Sequence, residues 1–314
     1  MQIKKHLFAL LFGLALLAFT GYLLADTFLI KRVYAVVAAD PAVQTEAETE
    51  SDAIAVVSTE PAVSEQPEDE PLTTDTSYAD GNVSVALQTY RINDTTVYVA
   101  DVRLASPDYL KTAFAENSYG RNVTEKTSSI ASSVGAILAI NGDYYGVQRS
   151  GYVIRSGVLY RNTSAGREDL VIYADGSFGI IDEDAVTAEE LLASGAWNVL
   201  SFGPALVRDG AVSVSESDEV GKAMASNPRT AIGVIGDLHY VFVVSDGRTD
   251  DSEGLSLYEL AAFLQSLGCT TAYNLDGGGS SSMVFLDEIV NNPVNGRKSG
   301  ERSVSDIVYI GYGA

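Results

Sequence analysis

The first patterned stretch of the chain is almost unbroken: after Lys4 and Lys5, residues Leu7 to Ala25 are apolar with Thr20, Gly21 and Tyr22 as mild interruptions, and Lys31 and Arg32 follow. As a helix this run reaches about 28 Å, nearly the depth of a hydrocarbon core. Residues 1–34 therefore read as an uncleaved signal anchor with a transmembrane helix. Val37-Ala38-Ala39 is a passable peptidase exit, but it lies far downstream of the apolar run.

From Gly81 onward the texture changes to short apolar runs broken by glycine, the pattern of strands. Strands are expected over Thr96 to Leu104, Gly135 to Ile140, Leu170 to Tyr173, Phe178 to Ile181, Val199 to Phe202, Thr230 to Ile235, Tyr240 to Ser245, Thr271 to Leu275, Met283 to Leu286 and Ile307 to Ile310. Two helices stand out. Thr187 to Ala193 opens with Thr187-Ala-Glu189-Glu190, and Ser256-Leu-Tyr-Glu259 is a capping box that starts an apolar-faced helix to Leu267, which Gly268 ends. Many strands, few helices and no regular alternation of the two predict a mixed α+β fold, one strand-rich globular domain over residues 81–314.

Between these parts, residues 35–80 carry twelve carboxylates and no basic residue, more than half of the net charge of −22. Self-repelling charge and few aromatics give this stretch little with which to offset chain entropy, so it reads as an acidic disordered linker. The acidic balance of the whole chain argues against general binding to nucleic acid. One cysteine, Cys269, excludes an internal disulfide and reads as core filler; two histidines, His6 and His239, argue against a His-rich zinc site or a Ser-His-Asp hydrolase. His239 flanks a strand without an evident partner. Any chemistry rests on carboxylates, amides, arginines and glycines.

The sharpest motif is Asn274-Leu-Asp276-Gly277-Gly278-Gly279-Ser280-Ser281, in which a strand delivers two polar side chains into three glycines whose bare amides a ligand can approach. A P-loop would need a lysine and a following helix; a strand-like segment follows instead. The same residues also read as a turn between strands, with Asp276 satisfying turn amides. Val243-Val244-Ser245-Asp246-Gly247-Arg248 is a second strand ending in an acid, a glycine and a cation, although Asp246-Gly247 is an ordinary turn dipeptide. Asn227-Pro-Arg229 sets an arginine just ahead of a strand, where its fork can grip a phosphate or simply meet solvent. Asn141-Gly142-Asp143-Tyr144-Tyr145 ends another strand in groups suited to sugar hydroxyls and faces; a hairpin turn has the same composition. Glu259 has a complete structural explanation as the returning arm of the capping box, yet a carboxylate at a helix start can also face a cleft. No cofactor is expected. Asp250, Asp251 and Glu253 are the alternative, a calcium position, although their spacing is not that of an EF-hand.

Taken in this order, with Phe202-Gly-Pro-Ala-Leu-Val, Pro228-Arg-Thr-Ala-Ile-Gly and Glu301-Arg302-Ser-Val-Ser, the motifs resemble the phosphodiester glycosidase family from about Gly135 to the C-terminus. The resemblance implies hydrolysis of a sugar-1-phosphodiester between the anomeric carbon and phosphate. It carries pocket roles onto Asn141, Arg229, Asp246, Glu259, Asp276 and Arg302. Asp143 and Arg248 depart from the family pattern. The residue types suit the reaction: phosphate is a good leaving group, so charge management matters more than a strong acid. Asp276, preferred to Glu259, is the expected catalytic carboxylate, Arg229 and Arg302 the phosphate ligands, and Asn141 and Asp246 the hydroxyl ligands. Asn274, Gly277, Gly278 and Ser280 complete the expected substrate-binding set. The expected substrate is a sugar phosphate or polysaccharide, such as a teichoic-acid-like polymer, and the expected location is the outer side of a cell membrane, held through the N-terminal helix. The alternative is a non-catalytic glycan-binding module.

Overall fold

The structure is a computed structural model that describes residues 2–34, 71–218, 226–296 and 298–313. Most of the expected linker, residues 35–70, lies outside the described residues. Its last part does not behave as a spacer: Leu72–Thr74 and Ser77–Ala79 are paired strands, so folded chain begins about ten residues before Gly81. Alternating Leu/Thr and Ser/Tyr positions supply enough β propensity once an existing sheet edge is there to receive them.

Three antiparallel sheets share one core. The largest has nine strands and runs, in order, 211–212, 205–208, 271–275, 229–236, 239–245, 95–104, 83–92, 77–79, 72–74. One five-stranded sheet is ordered 288–289, 283–285, 136–141, 306–311, 110–114, and the other 158–161, 153–155, 196–200, 168–173, 178–182. Alternation decides which face of each strand enters the middle. Tyr240, Phe242 and Val244 point inward with Ile232, Tyr273 and Leu275, against Leu138, Ile140, Val308 and Ile310 of the second sheet and Leu170, Ile172 and Leu200 of the third.

The outer face of each sheet takes one short helix. Leu257–Ser266 buries Leu257, Leu260, Ala261 and Leu264, a stripe at helical spacing, on Val97, Val241 and Val243 of the nine-stranded sheet. Thr127–Ser133 covers the second sheet through Ile130 and Ala131, and Ala188–Ala193 the third through Ala188 and Leu191. Each fully buried aliphatic side chain contributes about 1.5–3 kcal/mol of transfer free energy. Both expected capping boxes form. Cys269 is buried in the same layer as the Leu257–Ser266 helix, and burial pushes its thiol up to about 12, as befits core filler.

All ten expected strands are present, with shifts of one to three residues at their ends. Strands such as Val83–Ile92 and Leu110–Phe114, and the Thr127–Ser133 helix, were not expected, because Ser, Thr and Gln interrupt their apolar pattern. The N-terminal run does form a helix, Gln2–Phe28, with Leu10, Leu14, Leu17 and Phe19 exposed. Among the described residues no helix is long and apolar enough to cross a membrane, so the expected span is not shown.

Candidate active site

The three sheets meet where chain passes between them. Thr271–Leu275 of the nine-stranded sheet runs through residues 276–282 into Met283–Phe285 of the second sheet, and Ala196–Leu200 of the third runs through Phe202-Gly-Pro204 into Ala205–Arg208 of the nine-stranded one. Register brings the strand ends together: Arg229 lies opposite Ser245 and Thr230 opposite Leu275. A cavity of about 450 Å³ opens at this junction, lined among others by Tyr144, Phe202, Asn227, Arg229, Arg248, Asn274, Asp276, Gly277, Gly278 and Arg302.

Asp276 is the only carboxylate among the described residues that line the cavity. Its Oδ2 accepts from Arg302 Nη2 at 2.8 Å, and Arg302 Nε donates to Ser280 Oγ at 2.9 Å, so the serine holds the guanidinium against the acid. Asp276 is 8% exposed, and burial raises its pKa more than Arg302 and its hydrogen bonds lower it. Arg302 also lies 6.0 Å from the ring of Tyr144, a cation–π distance that steadies the exposed tyrosine at the cavity mouth. Arg229 donates through Nε to the Leu255 carbonyl at 2.8 Å and is nearly buried.

The glycines are explained by close approach. A Cβ on Gly277 would sit 2.9 Å from the Pro228 carbonyl oxygen, and one on Gly278 2.9 Å from Arg248 Nη2, with φ +63 besides. The Gly278 amide donates to Pro228 O at 2.8 Å, so it serves the loop rather than a ligand. Asn274 donates through Nδ2 to Gly203 O at 2.8 Å, while its Oδ1 is buried without a hydrogen-bond partner in the cavity wall.

Three residues of the expected site, Asn141, Asp246 and Glu259, make other contacts. Asn141 is fully buried and does not line the cavity: its Nδ2 donates to Asp276 O at 2.6 Å, and its Oδ1 accepts from Thr230 Oγ1 at 2.8 Å and Ser282 N at 3.3 Å. It ties both flanking sheets to the backbone of Asp276 instead of reaching hydroxyls. Asp246 is buried too, accepting from Asn292 N at 2.8 Å, Asn292 Nδ2 at 2.9 Å and Tyr98 OH at 3.2 Å. Glu259 is absent from the cavity lining; its Oε2 accepts from Ser256 N at 2.8 Å and its Oε1 from Asn93 Nδ2 at 2.5 Å. Although partial burial works the other way, those bonds and the charge of Arg229 hold its carboxyl below the usual range. It is the arm of the helix cap.

Cavity-lining residues that the expected set omitted include Tyr144, Phe202, Asn227 and Arg248. All four lie inside motifs that sequence had singled out: Tyr144, Asn227 and Arg248 stand within three residues of Asn141, Arg229 and Asp246, and Phe202 opens the Phe202-Gly-Pro motif. His239 does have a partner, Asp101 Oδ2 at 2.9 Å on the neighbouring strand. No cluster of three or more His, Cys, Asp or Glu among the described residues is arranged to hold a metal ion.

Behind the site lies a buried ionic cluster. Arg155 donates from Nη2 to Asp143 Oδ2 at 3.0 Å and to Asp306 Oδ2 at 2.7 Å; Asp143 Oδ2 also accepts from Ser201 N at 2.9 Å. Asp143 is thus a buried structural acid. Burial and then the adjacent Asp143 charge push Asp306 up to about 7, against the pull of Arg155.

The phosphodiester glycosidase family model matches residues 134–311, which include every cavity-lining residue named above. The chain belongs to the phosphodiester glycosidase family. It is 32% identical over 217 residues to the SPbeta prophage-derived uncharacterized protein YomE of Bacillus subtilis, covering 65% of this chain and 32% of that protein. To the mouse N-acetylglucosamine-1-phosphodiester alpha-N-acetylglucosaminidase it is 27% identical over 175 residues, covering 51% of this chain and 34% of that one. The chain thus spans about a third of the length of these curated relatives. Among solved structures, the catalytic domain of the zebrafish enzyme of the same name superposes with a TM-score of 0.58 over 73% of this chain and 82% of that one, at 22% identity. A hypothetical protein from Synechocystis gives 0.57 at 16% identity, over 73% of this chain and 62% of that one. These two likenesses show the fold.

Proposed function

We propose that this phosphodiester glycosidase hydrolyses a sugar-1-phosphodiester, breaking the bond between the anomeric carbon and the phosphate oxygen. The observation that carries the reading is the Asp276–Arg302 pair at 2.8 Å in a cavity whose described lining residues include Asp276 as the one carboxylate and several arginines. A water molecule attacks the anomeric carbon as the carbon–oxygen bond breaks; the bonding pair leaves with phosphate, which is stable as an anion, and Asp276 takes the proton of the water. Burial makes Asp276 a stronger base than an exposed carboxylate, and Arg302 orients it. Arg229 stabilises the departing phosphate, and Tyr144 and Phe202 offer faces to the sugar. With Asp276 the one carboxylate among the described lining residues, direct displacement with inversion is the course we propose.

The names of the vertebrate relatives support N-acetylglucosamine as the sugar. A surface polysaccharide, a teichoic-acid-like polymer or another glycoconjugate is the polymeric substrate we favour. Exposed apolar side chains from Leu10 to Leu24 of the Gln2–Phe28 helix, in a chain segment that follows Lys4 and Lys5, support a tether that holds the domain on the outer side of a membrane.

Asp276→Asn is the test. Turnover of an N-acetylglucosamine-1-phosphodiester should fall by about 10²- to 10⁴-fold with the thermal midpoint kept, and the first sugar formed by the unaltered protein should have the inverted configuration by NMR. Full activity in the variant would remove Asp276 from the chemistry, and retention would replace the base with a nucleophile. Binding with intact substrate after long incubation would favour a glycan-binding module.

A further inference from the structure

Arg248 has no part in the chemistry above, yet it is built into the cavity. Its Nε and Nη2 both donate to Asn227 Oδ1, at 3.1 and 2.7 Å, while Nη1 makes no hydrogen bond and no carboxylate among the described residues is in ion-pair range. The fork therefore rests on a neutral amide oxygen and keeps its full charge, whereas Arg302 spends its charge on Asp276. Gly278 accommodates it: a Cβ there would meet Nη2 at 2.9 Å and Cζ and Nη1 at 3.4 Å, so the guanidinium lies flat over the loop that carries Asp276. Two features of the backbone serve this placement, the left-handed φ of +61 at Arg248 and that of +63 at Gly278. In a chain of net charge −22, a cation that lines the same cavity as Asp276 and has an open N–H edge marks a place for an anion.

We infer that Arg248 is the leaving-group specificity residue of this site. It donates through Nη1 to a non-bridging phosphoryl oxygen, and so favours glycosyl phosphodiesters over glycosides of the same sugar with a neutral leaving group. The inference rests on the proposed hydrolysis and adds to it a residue with no part in the chemistry above. Gln and Lys at 248 meet the same left-handed backbone as Arg, so both variants keep the fold while changing the donor.

The experiment compares the methyl phosphodiester and the para-nitrophenyl glycoside of N-acetylglucosamine as substrates for the full chain, for Arg248→Gln and for Arg248→Lys. It is paired with calorimetric binding of inorganic phosphate. Arg248→Gln should reduce the ratio of kcat/KM for the phosphodiester to that for the aryl glycoside about tenfold, mostly through KM, with the loss shrinking at high salt. Arg248→Lys should recover part of it, and phosphate should bind the unaltered protein more tightly than Arg248→Gln. An unchanged ratio with unchanged phosphate affinity would overturn the inference while leaving the hydrolysis standing. Turnover of neither substrate by the unaltered protein would defeat the hydrolysis, and the phosphate comparison would then decide Arg248 alone.

Discussion

Asp169 offers a quantitative test of how the third sheet is held. It is wholly buried, and burial first, then the neighbouring Glu183 carboxylate, push its pKa up to about 9 from an ordinary 3.8. Glu183 stays ionised at neutral pH, because hydrogen bonds from Tyr152 N, Ala165 N and Ser201 Oγ hold its carboxyl below the usual range despite its own burial. In the folded protein Asp169 therefore keeps its proton at neutral pH, whereas in the unfolded chain it gives it up. The unfolded state binds fewer protons between the two values, so stability is greatest below the unfolded pKa and is lost as pH rises toward the folded one. Each pH unit in that window costs about 1.4 kcal/mol, so at pH 7 the loss is on the order of 4 kcal/mol. Asn has the same shape and does not titrate. Asp169→Asn should match the unaltered protein near about pH 4 and exceed it in stability by a growing margin up to about pH 9. Urea unfolding of the two proteins across that range measures the margin. Parallel stability curves would show that Asp169 ionises in the folded state and would refute the argument.

Two further substitutions test the roles that the structure reassigned. Asn141→Ala strands Thr230 Oγ1 and Ser282 N and frees the Asp276 carbonyl, so it should cost about 1–3 kcal/mol in chemical unfolding and lower kcat more than it raises KM. Glu259→Gln should leave kcat/KM unchanged while costing up to about 1 kcal/mol of stability through the helix cap; a collapse of activity at full stability would restore Glu259 to the chemistry.

The acids show how packing redistributes residues that look alike along a chain. Asp143, Asp246, Asp276 and Asp306 each stand at or next to a strand end, and all are buried. Only Asp276 reaches the cavity. Asp143 and Asp306 share Arg155, and Asp246 fixes the segment at Asn292. A buried carboxylate needs donors wherever it lies, so residue type and position within a strand do not separate a structural acid from a reactive one.

Local sequence settled the elements whose causes are local. Short apolar runs broken by glycine made the ten strands, Thr187 and Ser256 with their returning glutamates capped two helices, and the motif order from Asn141 to Arg302 already marked the family and the site's main cavity residues. Tertiary structure decided which of those strand ends converge, because pairing partners such as Ile307 with Asn141 and Thr230 with Leu275 lie far apart in the chain. That convergence set Asn141 against the backbone of Asp276, placed Glu259 in the helix cap, and set Arg248 over Gly278 at the cavity wall. Side-chain work of this kind depends on which polar groups are left to be satisfied after the sheets close, and no window of sequence contains that information.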